Sequence, residues 1–583
     1  MRRKNLILLV TTLAMSLFVL NSCQNLQKMQ KLANDVKFEV TPPILELHGD
    51  SIKVKVKGTF PPKFFMKKAE LEVIPVLKFA GSEIALPSKK LQGSDVKDNN
   101  TVISYESGGS FEMEFYIPYQ DGMMQSELYA RGKGTMKGKE LGIFDKKIAD
   151  GVIITPLLLQ PDARVSKAPD KFVRTTTEEK GAKIFFLINQ SDVRAAELKK
   201  DEIKVLQDYI KEVSEAEKLE IKDIILEAYA SPDGSIELNT KLSEKRKEVS
   251  TKFLDETSKK AKITIDPSVH KTRSTAEDWE GFQRDVQSSD IKDKDLILRV
   301  LSMYTDPDVR EKEIKNISAA YEELKKEILP GLRRSEFRVV VTVNGYTDEE
   351  LKELAQNEPE KLQIEEILFT ASLYEDNLDQ QYNIYKKAAE LFPQDWRTHN
   401  NTGWVAFKQG RYDEAESYFK AAKDVENNAT VSNNIGACQL INKDYAGAKA
   451  TFEASSGGSN EISYNQAIIA TKAGKYEQAA QLFNSAGFNT FNHALLKVVI
   501  FSQNQNERTY DSALEILDQV ENKDDAMIYY LKAIIGARRQ HSDFTMNNLR
   551  TACDKEPKLK DYAQKDLEFF RYFNDNVFTS IVK

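Results

Sequence analysis

The pattern of apolar and polar residues changes its period along the chain, and each period predicts a different kind of element. Between residues 36 and 160, segments such as 52–57 and 111–115 alternate apolar with charged side chains. Successive side chains of a strand point to opposite faces, so this pattern predicts strands that bury one face and expose the other. Proline pairs such as Pro61 and Pro62 separate strands of ordinary length. The region 36–160 is therefore predicted to be an antiparallel β-sandwich.

A different pattern follows between residues 181 and 345, where apolar runs alternate with segments of helical period. The runs 183–189 and 224–230 predict strands, and the helix predicted at 196–213 carries Ile203, Leu206 and Ile210 on one face. Spaced apolar residues at 266–330 predict small helices inserted before a final strand. The region is therefore predicted to be an α+β domain with a helical insertion.

In the last two hundred or so residues, a large apolar residue recurs at spacings of 31 to 34 positions. A helical hairpin of roughly 34 residues cannot bury its apolar face alone, so such hairpins stack on one another. In the clearest unit, the small residues Gly403, Ala415 and Ala422 accompany the bulky Phe419, as close helix packing requires. The region 366–583 is therefore predicted to be an all-α solenoid. The recurring positions are Leu378, Tyr412, Tyr445, Tyr476, Tyr510 and Phe544.

The segment 402–422 resembles the tetratricopeptide repeat at its small and large positions. This resemblance implies a concave surface that binds extended peptides or helices through polar side chains of the inner helices. An amide offers both a donor and an acceptor, so a row of amides can hold a peptide backbone. The alternative is that these amides only cap or solvate helices. The predicted partner-binding residues are Asn400, Asn401, Asn433, Asn434 and Asn465, with Gln466 beside them.

The N-terminus has the pattern of an export signal. Arg2, Arg3 and Lys4 precede an apolar run at 6–20 that is too short for a comfortable membrane span. The run ends Leu20-Asn21-Ser22-Cys23, which resembles a bacterial lipobox. The resemblance implies that residues 1–22 are a signal peptide, that Cys23 carries the lipid, palmitate included, and that 23–35 is a lipid-anchored tether. Residues 24–35 are predicted to be either a short tether or a helix leaving the membrane. The alternative is a plain cleaved signal peptide with an incidental cysteine.

The residues after Cys23 indicate where such a lipoprotein would reside. Gln24 stands where an aspartate is usually linked to retention at the inner membrane, and no acidic residue occurs before Asp35. In some Gram-negative lineages, acidic residues directly after the cysteine accompany export to the cell surface. By this resemblance the protein is predicted to be an outer-membrane lipoprotein that faces the periplasm, with surface exposure as the alternative.

A second envelope motif lies in the α+β region. Gly234, Asn239, Leu242, Ser243 and Arg246 match the order of a pattern in the OmpA-like domain, and 332–341 resembles the family's closing arginine pair and final strand. The resemblance covers about residues 180–345. It implies that the domain binds the peptidoglycan stem peptide.

In the OmpA-like family, an aspartate pairs with the ammonium of diaminopimelate and the helix arginine holds a carboxylate, a task that suits the planar guanidinium. Ser231 stands at the position of that aspartate, and Asp233 follows two residues later. Asp233, Asn239 and Arg246 are therefore the candidate peptidoglycan-binding residues. The alternative is a fold kept for structure, with Arg246 in a helix-surface ion pair.

Together these patterns predict a multidomain protein with an N-terminal antiparallel β-sandwich, an α+β OmpA-like domain and an all-α tetratricopeptide solenoid. The predicted boundaries are 1–22 for the signal peptide, 23–35 for the tether, 36–160 for the sandwich, 161–180 for a linker, 181–345 for the OmpA-like domain with its insertion at 266–330, 346–365 for a linker helix, and 366–583 for the repeats.

Composition narrows the chemistry. A net charge of −7 disfavours a nucleic-acid partner, which would require a basic stripe. The five histidines show no metal-binding spacing, and the sequence has no phosphate-binding glycine loop and no Cys-x-x-Cys motif, so no metal, no cofactor and no enzymatic activity are predicted. Cys438 and Cys553 are predicted to be buried as small apolar side chains. The alternative is a disulfide between them, which an oxidising compartment permits but the distance between their repeats disfavours. The lysine-rich face of the 52–57 strand is predicted to be solvated, with binding of lipid or partner phosphates as the alternative.

The favoured hypothesis is a lipid-anchored scaffold whose repeats bind proteins of an envelope assembly or secretion complex. The alternative hypothesis is an outer membrane to peptidoglycan tether that uses the repeats as a spacer. An enzyme with an unrecognised site in the β-sandwich would require a cleft of convergent titratable groups there.

Overall fold

The computed structural model describes residues 25–260, 266–454, 459–504 and 507–583. Within these residues the chain forms two compact units. The first unit combines the segment that ends at Pro169 with Asp376–Lys583, and the second comprises Asp170–Glu375. The predicted signal peptide and Cys23 lie outside the described residues. Because both ends of the chain build the first unit, the β-rich and helical regions belong together although they are far apart in sequence.

The first unit begins with helix α1 at 25–31, followed by ten strands. These are β1 (Lys37–Thr41), β2 (Ile44–His48), β3 (Ser51–Phe60), β4 (Glu70–Phe79), β5 (Ser82–Ala85), β6 (Lys89–Gln92), β7 (Thr101–Val102), β8 (Gly109–Pro118), β9 (Ser126–Met136) and β10 (Lys139–Ile153).

The strands form one half-barrel sheet in the order β1-β3-β2-β10-β9-β4-β6-β7, with β5 on β4 and β8 on β3. The predicted β-sandwich would consist of two separate sheets. Strand β2 pairs with both β3 and β10 and so joins the strands into one sheet. The β10–β2 and β6–β7 pairings are parallel, which corrects the prediction of a purely antiparallel sandwich. The β-rich character of the region is as predicted.

Alternation along β3 separates a core face from a charged face. Ile52, Val54 and Val56 are buried in the core of the β-rich region. The intervening lysines pair with carboxylates of neighbouring strands: Lys53 with Glu114 at 3.1 Å, Lys55 with Glu112 at 2.9 Å and Lys57 with Glu39 at 3.9 Å. This face is therefore electrically balanced rather than a positive surface for phosphate groups.

Helix α1 lies in the segment that was predicted to be a short tether or a helix leaving the membrane. Leu26 and Met29 are buried in the same core cluster as Phe60 and Leu71. Gln30 also donates a hydrogen bond to the carbonyl of Gly142. The chain is therefore fixed to the β-rich region from Leu26 onward, because the apolar side of the helix is part of the core.

The second unit contains a four-stranded sheet in the order β11-β14-β12-β13, in which only the β12–β13 pair is parallel. Helices α2 and α3 pack on this sheet, and five short helices, α4–α8, lie in the predicted insertion. The elements are β11 (Thr175–Phe185), α2 (Asp201–Glu215), β12 (Leu219–Tyr229), α3 (Ile236–Lys260), β13 (His270–Thr275), α4 (Trp279–Ser288), α5 (Lys294–Met303), α6 (Pro307–Asn316), α7 (Ser318–Glu327), α8 (Leu329–Leu332), β14 (Arg334–Asn344), α9 (Asp348–Asn357) and α10 (Ile364–Ser372).

The C-terminal part of the first unit is entirely helical. Its helices are α11 (Leu378–Leu391), α12 (Trp396–Lys408), α13 (Tyr412–Val425), α14 (Ala429–Ile441), α15 (Tyr445–Ala454), α16 (Asn460–Lys472), α17 (Tyr476–Ala486), α18 (Phe491–Asn504), α19 (Arg508–Asp518), α20 (Ala526–Arg538), α21 (Ser542–Lys555), α22 (Lys558–Ala563) and α23 (Asn576–Val582).

The recurring aromatic residues lie at the starts of helices. Tyr412, Tyr445 and Tyr476 are the first residues of α13, α15 and α17, the second helices of successive pairs. Within a pair the helices approach so closely that a methyl group on Gly436 would lie 2.5 Å from the ring of Phe452. The predicted solenoid of stacked helical pairs is confirmed.

Candidate peptide-binding site

Residues 160–168, here called the strap, run as an extended segment along the first helices of four successive pairs. The strap has no regular secondary structure, although it was predicted to open a linker at 161–180. Its polar main-chain groups are bound by asparagine side chains of α12, α14, α16 and α18. The predicted linker is therefore, over this stretch, part of the first unit.

Four asparagines, here called the amide ladder, each hold one strap residue by two hydrogen bonds. In every case the amide oxygen accepts from the main-chain N–H and the amide nitrogen donates to the carbonyl of the same residue, with N···O distances of 2.7–2.9 Å. The pairs are Asn401 with Ala168, Asn434 with Ser166, Asn465 with Arg164, and Asn492 with Gln160.

The ladder arises from the repeat itself, because its members occupy one position of the repeated helix. Each asparagine stands two residues before a small residue where the two helices of a pair meet: Gly403, Gly436, Ala467 and Ala494. Three of the bound residues, Arg164, Ser166 and Ala168, occupy every second position, as in a β-extended backbone, where alternate residues direct their polar groups to the same side. Gln160 stands four positions before Arg164. The solenoid thereby presents one bidentate amide per pair to an extended chain.

Two further asparagines orient the ladder. Asn400 donates to the carbonyl of Ser166 at 3.2 Å, and Asn433 donates to that of Arg164 at 3.1 Å. Asn434 and Asn465 also donate to the amide oxygens of Asn400 and Asn433, each at 2.9 Å. The four asparagines of the ladder and these two are at most 1% exposed. Their amide groups are therefore fixed by one another as well as by the strap.

The side chains of the strap make less specific contacts. Ala163 and Val165 join the apolar core of the solenoid, and Ala168 is buried. The hydroxyl of Tyr464 donates to Asp162 at 2.8 Å, and burial together with this carboxylate raises the pKa of the tyrosine. The main chain therefore supplies most of the recognition, and small side chains fit the walls.

The structure brings together all five asparagines that the sequence singled out. They hold a main chain, and do not merely cap helices, but the chain they hold is the protein's own. Binding of a separate partner by these residues stays a prediction. Asn492 was missed because its spacing from Asn465 is shorter than the other repeats, although its place before Ala494 fits the pattern. Gln466 does not belong to the ladder, since its amide donates to the carbonyl of Phe452.

The candidate peptidoglycan residues lie close together in the second unit, but they are engaged internally. Arg246 is 1% exposed, and its guanidinium donates to the carbonyls of Leu187, Gln190 and Tyr229 at 2.8–3.3 Å. Burial lowers the pKa of Arg246 to about 10. The arginine is therefore not in a helix-surface ion pair, and its donors point into the fold.

Asp233 and Asn239 are engaged in the same corner. The carboxylate of Asp233 pairs with Arg333 at 2.8 Å and accepts from the hydroxyl of Ser231. The amide of Asn239 donates to the carbonyl of Gly234 at 3.0 Å. The serine at the position of the expected aspartate is thus part of an internal network. In the described structure these groups stabilise the turn that precedes α3.

Cys438 and Cys553 are buried and unpaired, as predicted. Among the described residues, no cluster of three or more histidine, cysteine, aspartate or glutamate side chains could hold a metal ion. Among the helices of the same residues, none is both long enough and apolar enough to cross a membrane.

Comparison with known proteins identifies the helical repeats. A family model of the tetratricopeptide repeat matches residues 383–429. Among solved structures, the chain is similar to Pseudomonas aeruginosa pilF, with 16% identity over 38% of this chain and 98% of that one and a TM-score of 0.30. It is also similar to yeast Tom70 (13% identity, 60% and 77%, TM-score 0.24) and to the APC/C hetero-tetramer Cut9–Hcn1 (13% identity, 60% and 76%, TM-score 0.31). No curated protein matched the sequence.

The C-terminal helical region thus contains tetratricopeptide repeats. Repeats of this kind bind other proteins and are generally not enzymes. They imply a protein–protein interaction scaffold.

Proposed function

We propose that this protein is a lipid-anchored scaffold on the periplasmic face of a bacterial outer membrane, in which the tetratricopeptide solenoid binds proteins of an envelope assembly or secretion complex. The observation that supports the binding role is the amide ladder, which holds an extended main chain across four helical pairs. The N-terminal sequence that ends at Cys23 supports the location.

A lipid on Cys23 would place the β-rich region directly at the membrane. Leu26 is already buried in the core, and three residues of extended chain span at most about 10 Å. The β-rich region would then act as a rigid base, because its sheet and the solenoid belong to one compact unit. Partners bound to the solenoid would be held at a defined distance from the membrane surface.

The geometry supports scaffolding better than peptidoglycan tethering. A tether needs an accessible cation for the stem-peptide carboxylate, whereas the Arg246 guanidinium is buried and donates to three carbonyls. Asp233, the candidate for the ammonium, is paired with Arg333. We therefore propose that the α+β unit retains an OmpA-like arrangement without a free ligand site.

The anchor is tested by labelling cells with an alkyne analogue of palmitate and comparing the natural protein with Cys23→Ser. We expect label and membrane association in the natural protein and neither in the variant. Protease added to intact cells should leave the protein uncut, and added to cells with a permeabilised outer membrane should cut it. An unlabelled natural protein would show that the anchor proposal is wrong.

The scaffold role is tested by proximity labelling in intact cells, with a labelling enzyme fused after Lys583. The control protein consists of the first 35 residues fused to the same enzyme. It would be directed to the membrane in the same way but lacks the solenoid. We expect envelope proteins that are enriched by the full chain over the control. Identical labelling profiles would contradict the proposed scaffold.

A further inference from the structure

The strap has a second edge that the ladder does not use. In an extended chain, the N–H and C=O groups of successive residues point to opposite sides. Because Arg164, Ser166 and Ala168 turn these groups toward the ladder, the intervening Ala163, Val165 and Lys167 turn theirs away. The main-chain groups of these three residues have no hydrogen-bond partner among the residues that the structure describes. The strap therefore resembles the edge strand of a sheet.

This outward edge borders open space inside the solenoid. A cavity of about 680 Å³ is lined by residues 162–167 on one side and by residues of the solenoid on the other, among them Trp404 and Phe407 of α12 and Phe488 between α17 and α18. This volume lies within the range of cavities that hold peptide-sized or drug-sized ligands. The aromatic residues supply apolar contact area beside the unpaired main-chain groups.

The cavity is charged differently at its two ends. Near α12, the ammonium groups of Lys167 and Lys408 lie 5.7 and 5.9 Å from the ring centre of Trp404. Toward α16 and α18, the lining carries three carboxylates, those of Asp162, Glu461 and Glu521, and one cation, Arg164, whose guanidinium lies 3.9 Å from Asp162. This end is therefore negative on balance. An occupant of this cavity is therefore favoured when it carries an acidic residue at the α12 end and a basic residue at the α18 end.

Two prolines limit the edge. Pro161 and Pro169 are in the same alternating register as Ala163, Val165 and Lys167. The N–H that each proline lacks is therefore one that the ladder does not require. They also cannot donate to a neighbouring strand, so main-chain donors on the outward edge are confined to residues 163, 165 and 167. A strand that pairs here is thus short and has a defined register.

We infer that the outward edge of the strap is a docking site for an extended segment of a partner protein, which adds to the strap as a second strand. This inference rests on the proposed scaffold function and specifies its ligand as a short, extended, charge-polarised peptide. The strap would supply the main-chain hydrogen bonds, and the aromatic wall and the two charged ends would select side chains and direction.

The test uses two fluorescent peptides of alternating threonine and valine, and the full chain. One peptide begins with two aspartates and ends with two lysines, and the other has the reverse order. The strap runs from the α18 end to the α12 end, so the first peptide fits antiparallel pairing and the second fits parallel pairing. We expect one of the two to bind, as measured by fluorescence anisotropy.

Val165→Pro is the decisive variant, because it removes an outward N–H while Ser166 and Ala168 keep their bonds to the ladder. We expect binding at least about tenfold weaker, the effect of one hydrogen bond of roughly 1.4 kcal/mol. The matched control is Val165→Ala, which shortens the same side chain and keeps the N–H, and it should bind like the natural protein. Slow amide exchange at Ser166 in both variants would verify that the strap is still in place.

A second, independent variant exchanges the charge at one end of the cavity. Lys167→Glu combined with Lys408→Glu replaces two exposed lysines and leaves the outward edge unchanged. We expect the preferred peptide to bind about tenfold or more weakly to this double variant, because its acidic end then meets like charge. Val165→Pro and the double variant thus test the main chain and the side chains separately.

Three results would overturn the inference. The first is that neither peptide binds, and the second is that Val165→Pro binds as tightly as Val165→Ala. The third is that binding speeds amide exchange at Ser166, which would mean that the peptide displaces the strap from the ladder. None of these bears on the proximity-labelling test, so failure here is distinguishable from failure of the proposed scaffold function.

Discussion

The side-chain amide of Asn434 binds both polar groups of the Ser166 main chain, accepting from the N–H at 2.7 Å and donating to the carbonyl at 2.8 Å. The two residues are 268 positions apart in the sequence. This contact joins the strap, which follows the β-rich region, to helix α14 of the repeats. A contact of such long range fixes the first unit as a single structure.

Replacement of Asn434 by alanine should destabilise the first unit by about 2–4 kcal/mol. The change leaves the Ser166 N–H and the Asn400 amide oxygen without partners in a buried site, and each unpaired buried group costs about 1–3 kcal/mol. Urea denaturation measures the loss. The control is Asn442→Ala, at an exposed position just after α14, which should change stability by less than about 0.5 kcal/mol. Equal effects of the two variants would contradict the role of the ladder.

Arg246→Ala should destabilise the second unit by about 3–5 kcal/mol, because it leaves the buried carbonyls of Leu187, Gln190 and Tyr229 without donors. Calorimetry measures the change. Arg284→Ala is the control, since that side chain is 63% exposed and its removal should have little effect.

The same buried arginine leads to a prediction about the cell wall. We expect the natural protein not to sediment with purified peptidoglycan, because its candidate groups are engaged internally. The experiment needs no variant of Arg246, whose unfolding would confuse the result. Sedimentation that free diaminopimelate abolishes would contradict this expectation and would restore the tether hypothesis.

The features that could be predicted from the sequence are those that depend on the regular spacing of apolar residues within one element. Alternation at Ile52, Val54 and Val56 predicted a buried strand face, and the spacing of Tyr412, Tyr445 and Tyr476 predicted paired helices. Both patterns result from geometry within one element, either a strand or a helical hairpin. The amide ladder could be predicted for the same reason, because it recurs with the repeat.

The occupant of the ladder could not be predicted in this way. Residues 160–168 carry no periodic signal, and the asparagines bind their main chain, which every sequence possesses. Arg246 shows a related limit of prediction from sequence. The residue stands at the position that the motif specifies. Whether its guanidinium faces solvent or main-chain carbonyls depends on the loop at 187–190, which is far away in the sequence. Motif spacing specifies the residue and not its surroundings.

Cys438 and Cys553 should not react with a thiol reagent at pH 8 while the protein is folded. Burial raises the pKa of Cys438 to about 12 and that of Cys553 to about 11, so little reactive thiolate forms. The measurement uses Cys23→Ser protein, with release of the chromophore followed before and after addition of guanidinium chloride. Two thiols should react only after unfolding. Rapid reaction of the folded protein would contradict the burial of these residues.

Acid should destabilise the first unit through His493. This ring is 7% exposed and stacks on Phe483 with a centroid distance of 5.2 Å; burial, assisted by the charge of Lys497, lowers its pKa to about 4. The unfolded chain, with a histidine pKa near 6.5, therefore binds a proton that the folded chain excludes. Stability is complete above about pH 6.5 and is lost as the pH falls toward 4, by up to about 3 kcal/mol.

His493→Gln removes the titrating group, so the variant should lose less stability than the natural protein between pH 7 and pH 4.5. The control is His541→Gln, at an exposed position of the same unit, which should keep the acid sensitivity of the natural protein. Urea denaturation at a series of pH values measures both. If the two variants follow the same pH dependence, protonation of His493 is not what destabilises the fold, and acid must act through other groups. Asp566 is not one of them, because burial raises the pKa of its carboxyl to about 7, so its protonation favours the folded state as the pH falls.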